Sequence, residues 1–133
     1  MFEFHAWATI WVNDDDDADM DVIIAREDKA IGQLQLTINR HSDNFSFFDL
    51  RRTGNGMIVF TAHGLRNHKF TAIEEIFEWI ANNLPDSYGL LYTHDDDQEN
   101  HFVVYRLALG TVTSQHDTLL SPCIPTIEKP CQP

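Results

Sequence analysis

Basic residues are scarce in this chain: 9 Lys and Arg stand against 21 Asp and Glu in 133 residues, a formal net charge of −12. Holding a phosphate backbone takes Lys and Arg gathered in patches, so nucleic acid is not expected as a direct partner. Cysteine is nearly absent. Cys123 and Cys131 have no CxxC and no Cys/His ligand spacing around them, which argues against structural zinc. Two free thiols in a reducing cytoplasm is the expectation they support. Long apolar runs are missing, and none reaches the roughly 18 residues that a membrane span requires. The start, MFEFHAWATIW, lacks a basic stretch and is too short and too polar for a signal peptide. A cytoplasmic protein without membrane contact is therefore expected. Nucleophile and phosphate-loop motifs (GxSxG, GxxxxGK, GxGxxG) are also absent, so neither a catalytic role nor a cofactor is expected.

What is present organises into alternating strands and amphipathic helices. In Phe2–Val12, Phe2, Phe4, Ala6, Ala8, Ile10 and Val12 share one side, and Glu3, His5, Trp7, Thr9 and Trp11 share the other. A period of two marks a strand. Its second face, with two Trp, is neither clean core nor clean solvent surface. After NDDDDADMD, where Asp19 or Asp21 can cap a helix, about Asp19–Arg40 carries a helical stripe of Met20, Ile23, Ile24, Ala30, Ile31, Leu34 and Ile38. Asn44–Leu50 and Met57–His63 read as strands joined through Asn55-Gly56, a type I′ hairpin signal. Thr71 to Glu74 has capping-box spacing, and the helix of about Thr71–Leu84 turns Ile73, Ile76, Phe77, Ile80 and Leu84 inward and stops before Pro85. Tyr88–Thr93 and His101–Leu109 are two more strands around an acidic turn. From about residue 111, a tail with four of the five prolines is expected to lie extended over the rest. The order β-α-β-β-α-β-β predicts one α+β domain over residues 1–133, a largely antiparallel five-stranded sheet packed with two helices.

Two acidic clusters draw attention. Asp14, Asp15, Asp16 and Asp17 are contiguous and lack the Gly and the spaced ligands of an EF-hand loop, so a solvated or partner-facing surface is the better reading. The turn with Asp95, Asp96, Asp97 and Glu99 reads the same way. Seven histidines are scattered without HxH or HExxH spacing; His94 and His101 flank the acidic turn and leave open a metal pocket with Asp95–Asp97. Trp11, Trp79 and Tyr92 are candidate aromatic anchors for a partner, half-buried packing being the alternative for off-pattern Trp.

The segments FEFHAWATI, Asn67-His68, PDSYGLLYTHDDD, Asn100-His101-Phe102 and LSPCIPTIEKP occur here in order. Together they resemble a family of bacterial immunity proteins, the one numbered seven among the immunity families of polymorphic-toxin systems. The resemblance implies a non-catalytic inhibitor that protects the producing cell by binding a cognate toxin domain. A charge of −12 agrees with that expectation, because a toxin acting on nucleic acid should carry a basic cleft that attracts it. Asp14–Asp17, Asp95–Asp97 and Glu99 would then meet toxin Lys and Arg, with Trp11, Trp79 and Tyr92 as anchors. Two rival readings remain: a small metal-binding protein or metal-dependent enzyme using His94, His101 and Asp95–Asp97, and an adaptor for some other basic partner.

Overall fold

The computed structural model describes residues 1–12, 18–97 and 101–120. Within them the chain runs β1 (Phe2–Ile10), α1 (Met20–His41), β2 (Ser46–Arg52), β3 (Ile58–Arg66), α2 (Ala72–Asn83), β4 (Tyr88–Asp95), β5 (Phe102–Ala108) and β6 (Thr111–His116). The six strands form one sheet in the order β2-β3-β1-β4-β5-β6, and every neighbouring pair is antiparallel. The fold is α+β, as expected, with six strands where five were expected. β1 lies in the middle, flanked by β3 and β4.

The alternation of β1 decides which side of the sheet is covered. Phe2, Phe4, Ala6, Ala8 and Ile10 are all buried, together with Ile58, Phe60 and Ala62 of β3, Leu91 of β4 and Leu107 of β5. Against this face pack Ile73, Ile76, Phe77 and Ile80 of α2 and Ala30, Leu34 and Ile38 of α1, forming one apolar cluster. Burying each large side chain contributes about 1.5–3 kcal/mol. Rings dominate one end, where Phe4 lies 5.9 Å from Phe70 and 6.3 Å from Phe48, centroid to centroid. Both helices therefore cover one face, and among the described residues no helix lies on the other.

Several expectations change in detail. The segment from Thr111 does not begin an extended tail. Thr111–His116 is β6, paired with β5 from Ala108↔Thr111 to Val103↔His116. The tight turn between them places Leu109 at φ 55° and Gly110 at φ 71°, the positive-φ pair of a two-residue type I′ loop. The β2–β3 hairpin is present, but only Gly56 of its Asn55-Gly56 pair has positive φ, at 87°. Thr53 N–H donates to Met57 O at 2.7 Å, so the loop is one residue longer than a type I′ turn. In α1, Met20 and Ile24 are exposed, and burial begins only at Ala30. Its first ten residues, 20–29, hold no buried side chain. Neither cap forms by side chain: Asp19 receives the N–H groups of Val22 and Ile23 on its backbone oxygen, and Thr71 makes no side-chain cap bond. Glu74, the partner expected of Thr71, instead accepts from the Tyr105 hydroxyl at 3.3 Å.

Candidate partner-binding surface

Period two places Glu3, His5, Trp7 and Thr9 of β1 on the helix-free face, and the register tells what stands beside each. His63 and Tyr92 flank His5, Thr61 and Leu90 flank Trp7, and Leu65 and His94 flank Glu3. Further out, Phe47 of β2 is paired with His63, Val104 of β5 with Tyr92, and Arg106 with Leu90. Apolar side chains on this face stay in water: Trp7 is 41% exposed, Leu65 57% and Phe47 78%. Tyr88 is 46% exposed, and its ring meets Trp7 edge-on at 6.2 Å. Such residues are normal singly; four of them on one face of the sheet, with Trp7 and Tyr88 in contact, make this face a candidate partner surface. Trp11 stands one step past β1 at 56% exposure, its backbone N–H bonded to Ser87 Oγ at 3.0 Å.

Electrostatics concentrate at the opposite end of β1. Asp95 is paired with Phe2, and the backbone N–H of Asp96 donates to Met1 O at 3.2 Å. The three carboxylates of Asp95, Asp96 and Asp97 each bring an oxygen within 4.8 Å of the others. The Met1 amine donates to Asp96 at 2.5 Å. That hydrogen bond, ahead of the burial that opposes it, holds the Asp96 carboxyl below its ordinary range and raises the amine above its own. Asp97 is exposed, and its N–H donates to Asp95 Oδ1 at 3.1 Å. Trp11 and this turn thus mark the two ends of the central strand, with Trp7, Tyr88 and Tyr92 between them.

The structure separates some residues that the sequence grouped. Trp79 is on α2, on the other side of the sheet from Tyr92, and packs against the core. It walls a groove of about 580 Å³ with Tyr105 and Val112, rimmed by Glu74, Glu75 and Glu78. Burial first, and the Glu74 carboxylate second, push the Tyr105 phenol above its ordinary value, so it stays a hydrogen-bond donor to Glu74. His94 and His101 do not face one another. His94 is buried and lies against Phe102 at 5.2 Å, its cross-strand partner, whereas the His101 ring stacks on His116 on the helix side. Neither joins the three-aspartate group. Asp14–Asp17 and Glu99 lie outside the described residues.

Residue-by-residue reading missed Tyr88, Phe47 and Leu65 as surface features, and left Trp7 as an off-pattern Trp. The alternation of β1 carried the signal for Trp7. The other three needed the register, since each is known to share that face only through its cross-strand neighbour.

Among the described residues no helix is long and apolar enough to cross a membrane. A protein-family model described as Immunity protein 7 matches residues 1–129 of the 133. No curated protein and no solved structure gives a match.

Proposed function

This chain belongs to the Immunity protein 7 family, and from that membership we propose that it binds a cognate bacterial toxin domain in the cytoplasm and neutralises it by occluding its site. Family membership over nearly the whole chain is the observation that carries the reading. The geometry supplies a surface suited to the task. Six strands at about 4.8 Å spacing and about 26 Å of strand length give a face of roughly 600 Å², close to the ~800 Å² that each partner buries in a specific complex. It offers rings without a helix to cover them, and aromatic anchors in a desolvated patch supply most of the energy of tight association.

The division of labour follows from the chemistry of each group. Trp7, Tyr88 and Tyr92, with Trp11 at the end, act as anchors, each presenting a large apolar body at low entropic cost. Asp96 and Asp97 form one charged end of the surface and, with Asp95 at the sheet's end on the helix side, pair with toxin Lys or Arg; Asp14–Asp17 and Glu99 add to the same attraction. Trp79, on the far side, belongs to a separate groove and serves the helix packing. A toxin acting on nucleic acid, with its basic substrate cleft, is the partner type that a charge of −12 suits best.

Co-expression tests the reading. The C-terminal toxin domain encoded beside this protein is produced with the unaltered chain, with none, and with Trp7→Ala plus Tyr92→Ala. Cells are expected to survive with the unaltered chain and to lose most of that protection with the double variant, whose circular dichroism should be unchanged. Equal killing with and without the unaltered chain would end the immunity reading; full protection by the double variant would move the interface off this face.

A further inference from the structure

His5 and His63 are directly paired across β1 and β3, and their Nδ1 atoms lie 3.1 Å apart. The rings are tilted by 59° with centroids 5.4 Å apart. On its far side, His5 Nε2 is 2.6 Å from a carboxylate oxygen of Glu3. That contact sets the tautomer. A neutral His5 keeps its one proton on Nε2, toward the carboxylate, and directs the Nδ1 lone pair at His63. A carboxylate on one ring nitrogen that presents the other as a ligand is the usual surrounding of metal-bound histidine.

The spacing is also that of two ligands on one ion. Nitrogens bonded at about 2.0–2.1 Å sit about 2.9 Å apart when they subtend a right angle and about 3.3 Å apart at the tetrahedral angle. The observed separation falls between these. We propose that His5 and His63 form a two-imidazole site for a divalent first-row transition ion such as Zn²⁺ or Cu²⁺. Glu3 is its positioning residue, and water completes the shell. In the ion-free chain His63 Nδ1–H donates to the His5 Nδ1 lone pair, so loading the ion moves the His63 proton to Nε2. Both imidazoles are open to the ion from solvent, the His5 side chain being 47% exposed. Magnesium and calcium, which take oxygen ligands, are excluded by the same donor set. The site stands on different atoms from the Asp95–Asp97 turn but on the same face as Trp7 and Tyr92, so it is tested on the chain without toxin.

Zinc and copper chlorides, each titrated alone into the full chain carrying Cys123→Ser and Cys131→Ser, provide the test by calorimetry. One ion per chain is expected. His5→Gln and His63→Gln should each weaken binding at least tenfold, and Glu3→Gln, which keeps both ligands, by about tenfold or more. Asp97→Asn should change nothing. No binding by the parent chain, or undiminished binding in both histidine variants, overturns the proposal. A second readout uses the chain with both histidines in place: substoichiometric Ni²⁺ should broaden the His5 and His63 ring resonances before those of the other five histidines. Broadening that begins elsewhere overturns it as well.

Discussion

Arg66 holds one corner of the sheet through three contacts at once. Its guanidinium pairs with Asp43, lies over the Phe70 ring at 4.1 Å and reaches the Phe45 ring at 5.6 Å. For Asp43, partial burial works to raise the carboxyl, but hydrogen bonds from Arg66 and from the Phe45 N–H, with the Arg66 charge, outweigh it, and the net effect holds the group below its ordinary value of 3.8. A depressed carboxyl stabilises the fold above its unfolded-state value and loses that contribution as pH falls through the folded-state value. Asp43→Asn should therefore be less stable than the parent chain near neutrality. The difference should shrink as pH drops below about 4 and close in strong acid. Urea unfolding of both chains across that range checks it; a gap that persists at the lowest pH would mean the loss is packing and not charge. Gly89 makes a different point. A Cβ there would meet Trp7 O at 2.1 Å and Ala8 Cα at 2.7 Å, both on the central strand. Because backbone and not a flexible side chain is in the way, Gly89→Ala is expected to cost about 2 kcal/mol or more, measured as a lower urea midpoint.

At the scale of elements, the β5–β6 hairpin is where sequence and fold part company. Leu109 sits at φ 55° and is 88% exposed, so it takes a backbone conformation that costs an L-residue about 1–2 kcal/mol and buries almost nothing in return. Turn rules look for Asn-Gly or Asp-Gly; Leu109-Gly110 satisfies half of the signal, and Leu reads as the last residue of a strand. For that reason β6 was illegible and the chain from Thr111 was expected to form a tail. Leu109→Asn should raise stability by about 1 kcal/mol, seen as a higher urea midpoint with an unchanged slope; a lower midpoint would show that Leu109 makes a contact worth more than its strain. Where local pattern and tertiary demand agree, the reading succeeded. The alternation in Phe2–Ile10 and the stripe Ile73, Ile76, Phe77 and Ile80 each named core residues that the fold buries. The first turns of α1 departed from expectation for the opposite reason: Met20 and Ile24 belong to the apolar stripe yet are exposed, since periodicity records which face is apolar and not what packs against it. The same limit applied to the surface. That Trp7 faced away from the core was legible, whereas the company it keeps depends on a strand order, β3-β1-β4, that no local pattern encodes.

At the scale of the whole molecule, the proposed function draws on two sources of recognition that act at different ranges. A net charge of −12 is felt over about 30 Å at 0.01 M salt but only about 8 Å at 0.15 M. The rings of the open face act only on contact. If the immunity reading holds, association with the toxin domain should be fast at low salt and slow at least tenfold as ionic strength rises to the physiological value. Dissociation should change less over the same range, because the anchoring contacts are the rings and the acidic end sits at the solvated rim. Substitution should divide in the same way. Neutralising Asp96 and Asp97 together, as Asp96→Asn and Asp97→Asn, should lower the association rate and flatten its salt dependence. Trp7→Ala, which leaves the charge untouched, should raise the dissociation rate by about thirtyfold or more, the equivalent of about 2 kcal/mol for an interface anchor. Surface plasmon resonance with the immobilised toxin domain resolves both rates. Salt-independent association would remove charge steering from the mechanism, while a dissociation rate that ignores Trp7 would show that the toxin docks elsewhere, with the acidic rim of the Trp79 groove as the next surface to test.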